Sequence, residues 1–180
     1  MNVNECITSR RSIRKYKPDP VDHSLIESIV SMASYSPSWK NTQITRYIAV
    51  DGEKKEQIAD SCAEMFANNG VIIQNAPVLM VLTYIKGRSG YERDGSFTTS
   101  KGDRWQMFDA GIASQSFCLA AYEQGLGSVI LGIFDDAKVA SILEIPENQE
   151  VAALIAVGYP DEEPAAPKRK PVADLLSFIH

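Results

Sequence analysis

Histidine is nearly missing: His23 and the terminal His180 are the only two in 180 residues. A Ser-His-Asp triad and a His-ligated metal centre therefore lack parts. Cysteine is scarce as well. Cys6, Cys62 and Cys118 are odd in number, widely spaced and contain no Cys-x-x-Cys pair, which argues against a disulfide framework and a structural zinc site. No apolar run approaches the ~20 residues that span a bilayer, and the opening MNVNECITSRRSIRKY has no apolar signal-peptide core. Positive charge is in deficit, 18 basic residues against 23 acidic for a net of −5, so neither nucleic acid nor an anionic membrane is expected as a partner. The dinucleotide fingerprint G-x-G-x-x-G and the phosphate loop G-x-x-x-x-G-K-[ST] are both absent. These absences lead to the expectation of a cytoplasmic protein without a metal site, any chemistry of which comes from a cofactor.

What is present is ordinary globular material, 44% hydrophobic and 23% charged, sized for one domain over 1–180. The patterns predict a short helix at 3–11, stopped by the prolines at 17–20. Asp22 opens a helix at 23–35. Strands follow at 44–50, 77–84, 128–133 and 151–157. The run PVLMVLTY at 77–84 is apolar enough for the middle of a sheet. Further helices are expected at 53–68, with Ile58, Cys62, Met65 and Phe66 on one face, and at 136–143 behind Asp135. The longest, 105–124, is rich in small residues, suits packing on all sides, and ends at Gly125-Leu126-Gly127. Residues 86–104 are polar and without period, the pattern of a mobile loop or lid, and 161–180 form a Pro-rich, charged tail ending in VADLLSFI. Helices and strands do not alternate strictly, so the class is α+β.

Three clusters could carry chemistry. Arg10, Arg11, Arg14 and Lys15, with the Ser12 hydroxyl, place many donors within six residues, which suits a phosphate, although a solvated basic helix end reads the same way. A second basic group, Lys168-Arg169-Lys170, lies in the tail. The loop Ser36-Pro37-Ser38-Trp39-Lys40-Asn41-Thr42-Gln43 offers carboxamides, hydroxyls and an indole, suited to a heterocycle edge or to an ordinary polar turn. Gly125–Gly132 either lets backbone approach a ligand or caps a helix and begins a strand.

In this order, along nearly the whole chain, the segments resemble the FMN-dependent nitroreductase family. RRSIRKY is similar to its phosphate motif and SPSWKNTQ to its Ser-Pro-Ser-x-x-Asn-x-Gln loop. DAGIASQSFCLAAYEQGLGSVILGIFD is similar to its central helix, Gly-Leu-Gly turn and flavin-edge strand, and ALIAVGYP with a basic tail completes the pattern. The resemblance implies a central mixed, mainly antiparallel sheet flanked by helices, and a homodimer. It implies non-covalent FMN, with Arg10, Ser12 and Arg14 on the phosphate and ribityl chain, Arg11 nearby, and Arg169 with Lys168 closing from the tail. Pro37, Ser38 and Trp39 of the second subunit would lie along the ring, with Asn41 and Gln43 shaping the site, and Leu131 and Gly132 would aim N–H groups at the N5/O4 edge. NAD(P)H is the implied donor and a nitroaromatic, quinone or related small electrophile the acceptor, with the flavin rather than any catalytic side chain carrying the reaction. The alternatives are a specialised flavin enzyme (enone or dehalogenating reductase, azoline oxidase, flavin-consuming enzyme) and a non-catalytic flavin-binding or redox-partner module. Three features depart from the family pattern: Gln43-Ile44-Thr45 replaces its Gln-Pro-Trp, Leu131 stands where some relatives have Glu, and a long middle insertion is lacking.

Overall fold

The run VLMVLTYI has no polar face to offer water, and it forms the second strand of a sheet that covers it on both sides. In the computed structural model, which describes residues 2–180, four strands pair antiparallel in the order β1-β2-β4-β3. They are β1 (Thr45–Val50), β2 (Val78–Ile85), β3 (Gly127–Leu131) and β4 (Gln149–Gly158). Alternation sends Leu79 and Val81 to one face of β2 and Val78 and Met80 to the other. Six helices complete the α+β fold: α1 (Val3–Ser9), α2 (His23–Ala33), α3 (Gly52–Met65), α4 (Ala67–Asn75), α5 (Arg104–Glu123) and α6 (Asp136–Ile142). Ile58, Cys62, Ile73 and Val139 bring α3, α4 and α6 onto the first face. Ile29, Ala33, Phe117 and Ala121 bring α2 and α5 onto the second. Each fully buried aliphatic or aromatic side chain stabilises the fold by ~1.5–3 kcal/mol, so these two layers dominate its energetics.

Outside the named strands, Ser12 makes a parallel bridge to Ser128 and Tyr16 an antiparallel one to Pro160. The four-stranded sheet itself is antiparallel throughout, where the resemblance implies a mixed, mainly antiparallel one, and the two isolated bridges fix residues 12–16 along its β3 and β4 margin. Asn2 and Glu5 start α1 with a reciprocal capping box, and Asp135 starts α6 by accepting from Lys138 N–H at 3.0 Å. Asp22 stands at the N-cap of α2 without a side-chain capping bond. Gly125, at φ +82°, ends α5.

Three further expectations change: the single helix at 53–68, Met65 and Phe66 on its buried face, and a long helix packed on all sides. The helix expected at 53–68 is two helices, broken at an extended Phe66 (φ −154°, ψ 97°). Met65 and Phe66 are exposed, and the buried face of α3 is Lys55, Ile58, Ala59 and Cys62. Lys55 Nζ donates to Ala76 O at 2.6 Å, serving a carbonyl just past the end of α4. Helix α5 is not packed on all sides, because Phe108, Gly111 and Gln115 form an exposed stripe at helical spacing. The apolar tail segment builds only a short turn, Val172–Asp174, and Leu175 and Phe178 stay 69% and 77% exposed. Residues 86–104 are knit into turns: Glu92 N–H donates to Ser96 O and Thr98 N–H to Gly90 O, with Tyr91 packed against Phe97.

Candidate functional site

The N-terminal cluster is placed by its partners in the sheet. Ile13 N–H donates to Ser128 O at 3.1 Å. The buried Tyr16 hydroxyl lies 2.5 Å from Ile13 O and 3.1 Å from Ala156 O. Burial, reinforced by Glu162, drives the Tyr16 pKa well above its ordinary value, so this anchor stays a hydrogen-bond donor. Glu162 accepts from the backbone N–H groups of Arg14 and Lys15 at 2.6 and 3.2 Å, tying the start of the tail to the cluster.

Within that frame the arginines differ. Arg11 turns to its own helix end, donating to Thr8 O and Arg10 O at 2.8 and 2.9 Å. Arg10 lies within electrostatic reach of Cys118 on α5, whose thiol is pushed up by burial and pulled back by Ser128 and Arg10. Arg10 Nε is buried and has no hydrogen-bond partner among the described residues. A cleft of about 640 Å³ lies on the other side of the segment, lined by Ser9, Arg11, Ile13, Gly127 and Glu162 and not by Arg10, Ser12 or Arg14.

Strand β3 leads away from the cluster. Ser128 is four residues from Gly132, ~13 Å at the rise of an extended strand. Leu131 is buried opposite Leu154, the last pair of the ladder, and Gly132 follows it exposed. Asn69 Nδ2 donates to Ile133 O at 3.0 Å, fixing the chain just beyond Gly132.

The polar loop lies elsewhere. Residues 36–43 follow α2 and contain a turn at Trp39–Asn41. Lys40, Asn41 and Gln43 all take left-handed backbone conformations, φ 44°, 55° and 49°, a strain that non-glycine residues accept only when their surroundings hold them. Ser38 Oγ accepts from Gln43 N–H at 3.0 Å, and both Asp109 oxygens accept from Trp39 N–H at 3.1 Å. Trp39 Nε1 is buried with no partner among the described residues, the counterpart of Arg10 Nε in the first cluster. A cleft of about 360 Å³ is lined here by Ala33, Pro37, Ser38, Gln43 and Asp109.

One chain thus brings Arg10, Ser12 and Arg14 together and groups Pro37, Ser38, Trp39, Asn41 and Gln43, but keeps the groups apart. Trp39 is bonded to Asp109, whereas Arg10 lies within electrostatic reach of Cys118, nine residues later on α5, an axial offset of ~13 Å. Lys168 and Arg169 lie exposed in the tail and form no ion pair among the described residues. Among those residues no cluster of His, Cys, Asp and Glu could hold a metal ion, and no helix is long and apolar enough to cross a membrane.

The model of the Nitroreductase family matches residues 7–159. The chain belongs to the nitroreductase family. It is 30% identical over 199 residues to an NADH dehydrogenase of Thermus thermophilus, covering 96% of this chain and 93% of that one. It is 28% identical over 179 residues to an NADPH-flavin oxidoreductase of Vibrio harveyi, covering 94% and 70%. The solved FMN-dependent nitroreductase of Clostridium difficile superposes with a TM-score of 0.74 at 29% identity, covering 92% of each chain. Two buried polar residues of this nitroreductase-family site, Asn69 and Asp109, escape sequence reasoning. Asn69 falls at the unforeseen break between α3 and α4, and Asp109 reads as one polar residue in a small-residue helix.

Proposed function

We propose that this chain is an NAD(P)H-dependent FMN oxidoreductase that reduces a nitroaromatic, quinone or similar electrophile. FMN, when bound, supplies the hydride relay, taking reducing equivalents from the nicotinamide and giving them to the acceptor in a second half-reaction. The observation that carries the reading is that, of the buried side-chain donors without a partner among the described residues, the two N–H groups, Arg10 Nε and Trp39 Nε1, fall one in each cluster, with Ser128 Oγ beside the first. Such groups are costly to bury without an acceptor, and a phosphorylated heterocycle brings acceptors to both.

Arg10, Ser12 and Arg14 hold the phosphate and ribityl chain, and Lys168 and Arg169 close on the phosphate from the tail. Arg11 stays beside the site, engaged with the end of α1. An elongated ligand lying along β3 would reach from Ser12 to Gly132, whose N–H lies past the last pair of the ladder and would stabilise negative charge at the ring edge. Leu131, expected to do the same, turns its N–H to Leu154 and would back the site with its side chain. Pro37, Ser38 and Trp39 cover the ring from a second subunit, with Asn41 and Gln43 shaping the loop. The ~13 Å offset along α5 supports this division, since two antiparallel copies of α5 would set each loop against the other chain's arginines. The exposed stripe Phe108, Gly111 and Gln115 suits that contact. The two curated relatives carry different nucleotides in their names, so the donor is written NAD(P)H. Such chemistry belongs in the cytoplasm, where both nucleotides are supplied.

The test is purification followed by flavin quantitation, then anaerobic reduction with NADH and with NADPH and reoxidation by a panel of nitroaromatics and quinones. The expected result is one FMN per chain that is bleached by at least one nucleotide and recoloured by acceptor. Protein that neither retains nor takes up FMN would overturn the reading.

A further inference from the structure

Asp109 is a carboxylate shut away on α5 at 2% exposure, with no Lys or Arg paired to it among the described residues. Its oxygens are taken up by two segments distant in sequence. Trp39 N–H donates to both at 3.1 Å, and Ser89 Oγ donates to Oδ2 at 2.5 Å. Because the single Ser89 proton goes to Asp109, Thr42 Oγ1 must be the donor in its 2.7 Å contact with Ser89 Oγ. The carboxylate therefore ties α5, the strained 36–43 turn and the 86–104 segment into one knot. Two further ties run alongside: the Trp39 and Trp105 rings lie 4.6 Å apart, and Lys40 Nζ meets Glu92 Oε1 at 3.0 Å on the exposed rim.

We propose that Asp109 is a positioning residue for the ring side of the site: it holds the 36–43 turn in its strained form and locks the 86–104 segment to it. The proposal rests on the flavin reading of Pro37–Trp39 and deepens it, because the two segments then respond to the acceptor as one body. Three left-handed residues in four positions, Lys40, Asn41 and Gln43, relax when their restraint is removed. Asp109→Asn keeps the volume but puts an NH₂ group where one oxygen accepted, so at least one arm of the shared Trp39 N–H bond is replaced by a donor facing a donor, and a weaker neutral acceptor serves the rest.

The experiment is amide hydrogen exchange on the full-length protein as purified, paired with acceptor kinetics on the flavin-loaded enzyme. In Asp109→Asn, exchange rises ~10-fold or more across 36–43 and 86–98 together, while β2 and β4 keep wild-type protection. Acceptor KM rises ~5-fold or more with kcat within about twofold, and FMN remains stoichiometric because the arginine cluster is untouched. Ser89→Ala moves the same readouts in the same direction by less, and decides the matter should Asp109→Asn fail to fold. Val139→Ala, a cavity in the opposite core layer, controls for lost stability and leaves acceptor KM unchanged. Exchange that is unaltered, or faster in only one of the two segments, overturns the proposal, as does a KM rise that Val139→Ala reproduces. Should the wild type bind no FMN, the functional reading fails while the exchange pattern still decides the brace.

Discussion

Arg10 and Arg11 are neighbours with different employment. Arg11 spends its guanidinium on the carbonyls at the end of α1, whereas Arg10 keeps a buried Nε–H without a partner among the described residues. Charge-assisted bonds from Arg10 and Arg14 to a phosphate are each worth ~1.5–3 kcal/mol, or about ten- to hundredfold in affinity. Arg14→Ala is expected to weaken FMN binding by that factor, and the double change Arg10→Ala, Arg14→Ala to yield colourless protein, both read by flavin fluorescence titration. A double variant as yellow as wild type refutes the phosphate assignment. Acid–base behaviour at this scale concerns stability. Burial pushes the Cys62 thiol up to about 11 from 9.0. Burial, then the Cys118 thiol, pushes Tyr47 up to about 12 from 10.0, and Tyr16 and Tyr84 are also raised, first by burial. These are acids whose folded values exceed their unfolded ones, so above their ordinary values the unfolded chain releases protons that the fold retains. Their stabilising contribution is complete below ~pH 9 and is lost as pH climbs through the raised values. The urea midpoint, followed by circular dichroism, is expected to fall steadily from ~pH 9 upward; a level midpoint through pH 11 contradicts the assignment.

At the scale of elements, what the sequence made legible depended on how local the cause was. The positions of β2 and β4 follow from their apolar runs, and the end of α5 from a glycine that must take a positive φ. The break at Phe66 has no such marker. Residues 65–68 carry neither glycine nor proline, and the chain turns there because α4 crosses α3 closely at Gly70. A Cβ at Gly70 would lie 2.6 Å from Ala63 Cβ and 2.7 Å from Ala59 O. Helix propensity favours alanine there by ~1 kcal/mol, while overpacking against backbone costs ~1–3 kcal/mol. Gly70→Ala is expected to lower stability in urea, and a variant more stable than wild type would show that the helices are further apart. The site was legible in the same uneven way. Arg-x-Ser-x-Arg and the 36–43 loop are contiguous and readable, whereas Asp109 acts on residues 70 and 20 positions away, a relation no local pattern carries. The aperiodic 86–104 composition gave its loop character but not its tie to α5, which needs Ser89 and Asp109 in register.

At the scale of the molecule, the exposed α5 stripe and the divided site make one joint prediction. Phe108→Glu places a charge on the proposed contact between copies, and a buried unpaired charge is strongly disfavoured. Sedimentation is expected to show a monomer, and flavin absorbance is expected to leave the protein fraction with the dimer, because binding and assembly are linked. A Phe108→Glu monomer with full FMN content refutes the shared site. The margin where Ser12 meets Ser128 and Arg14 meets Glu162 has a different consequence, for the order in which the chain is made. Arg14 and Glu162 are 148 residues apart, so at ~5–20 residues per second the arginine segment leaves the ribosome roughly 7–30 s before its last anchor. A chain cut short before β4 carries the arginines and Ser128 but lacks Ala156 and Glu162, which hold Tyr16 and the backbone of Arg14 and Lys15. The arginine segment is therefore fully seated only after residues 156–162 have joined it.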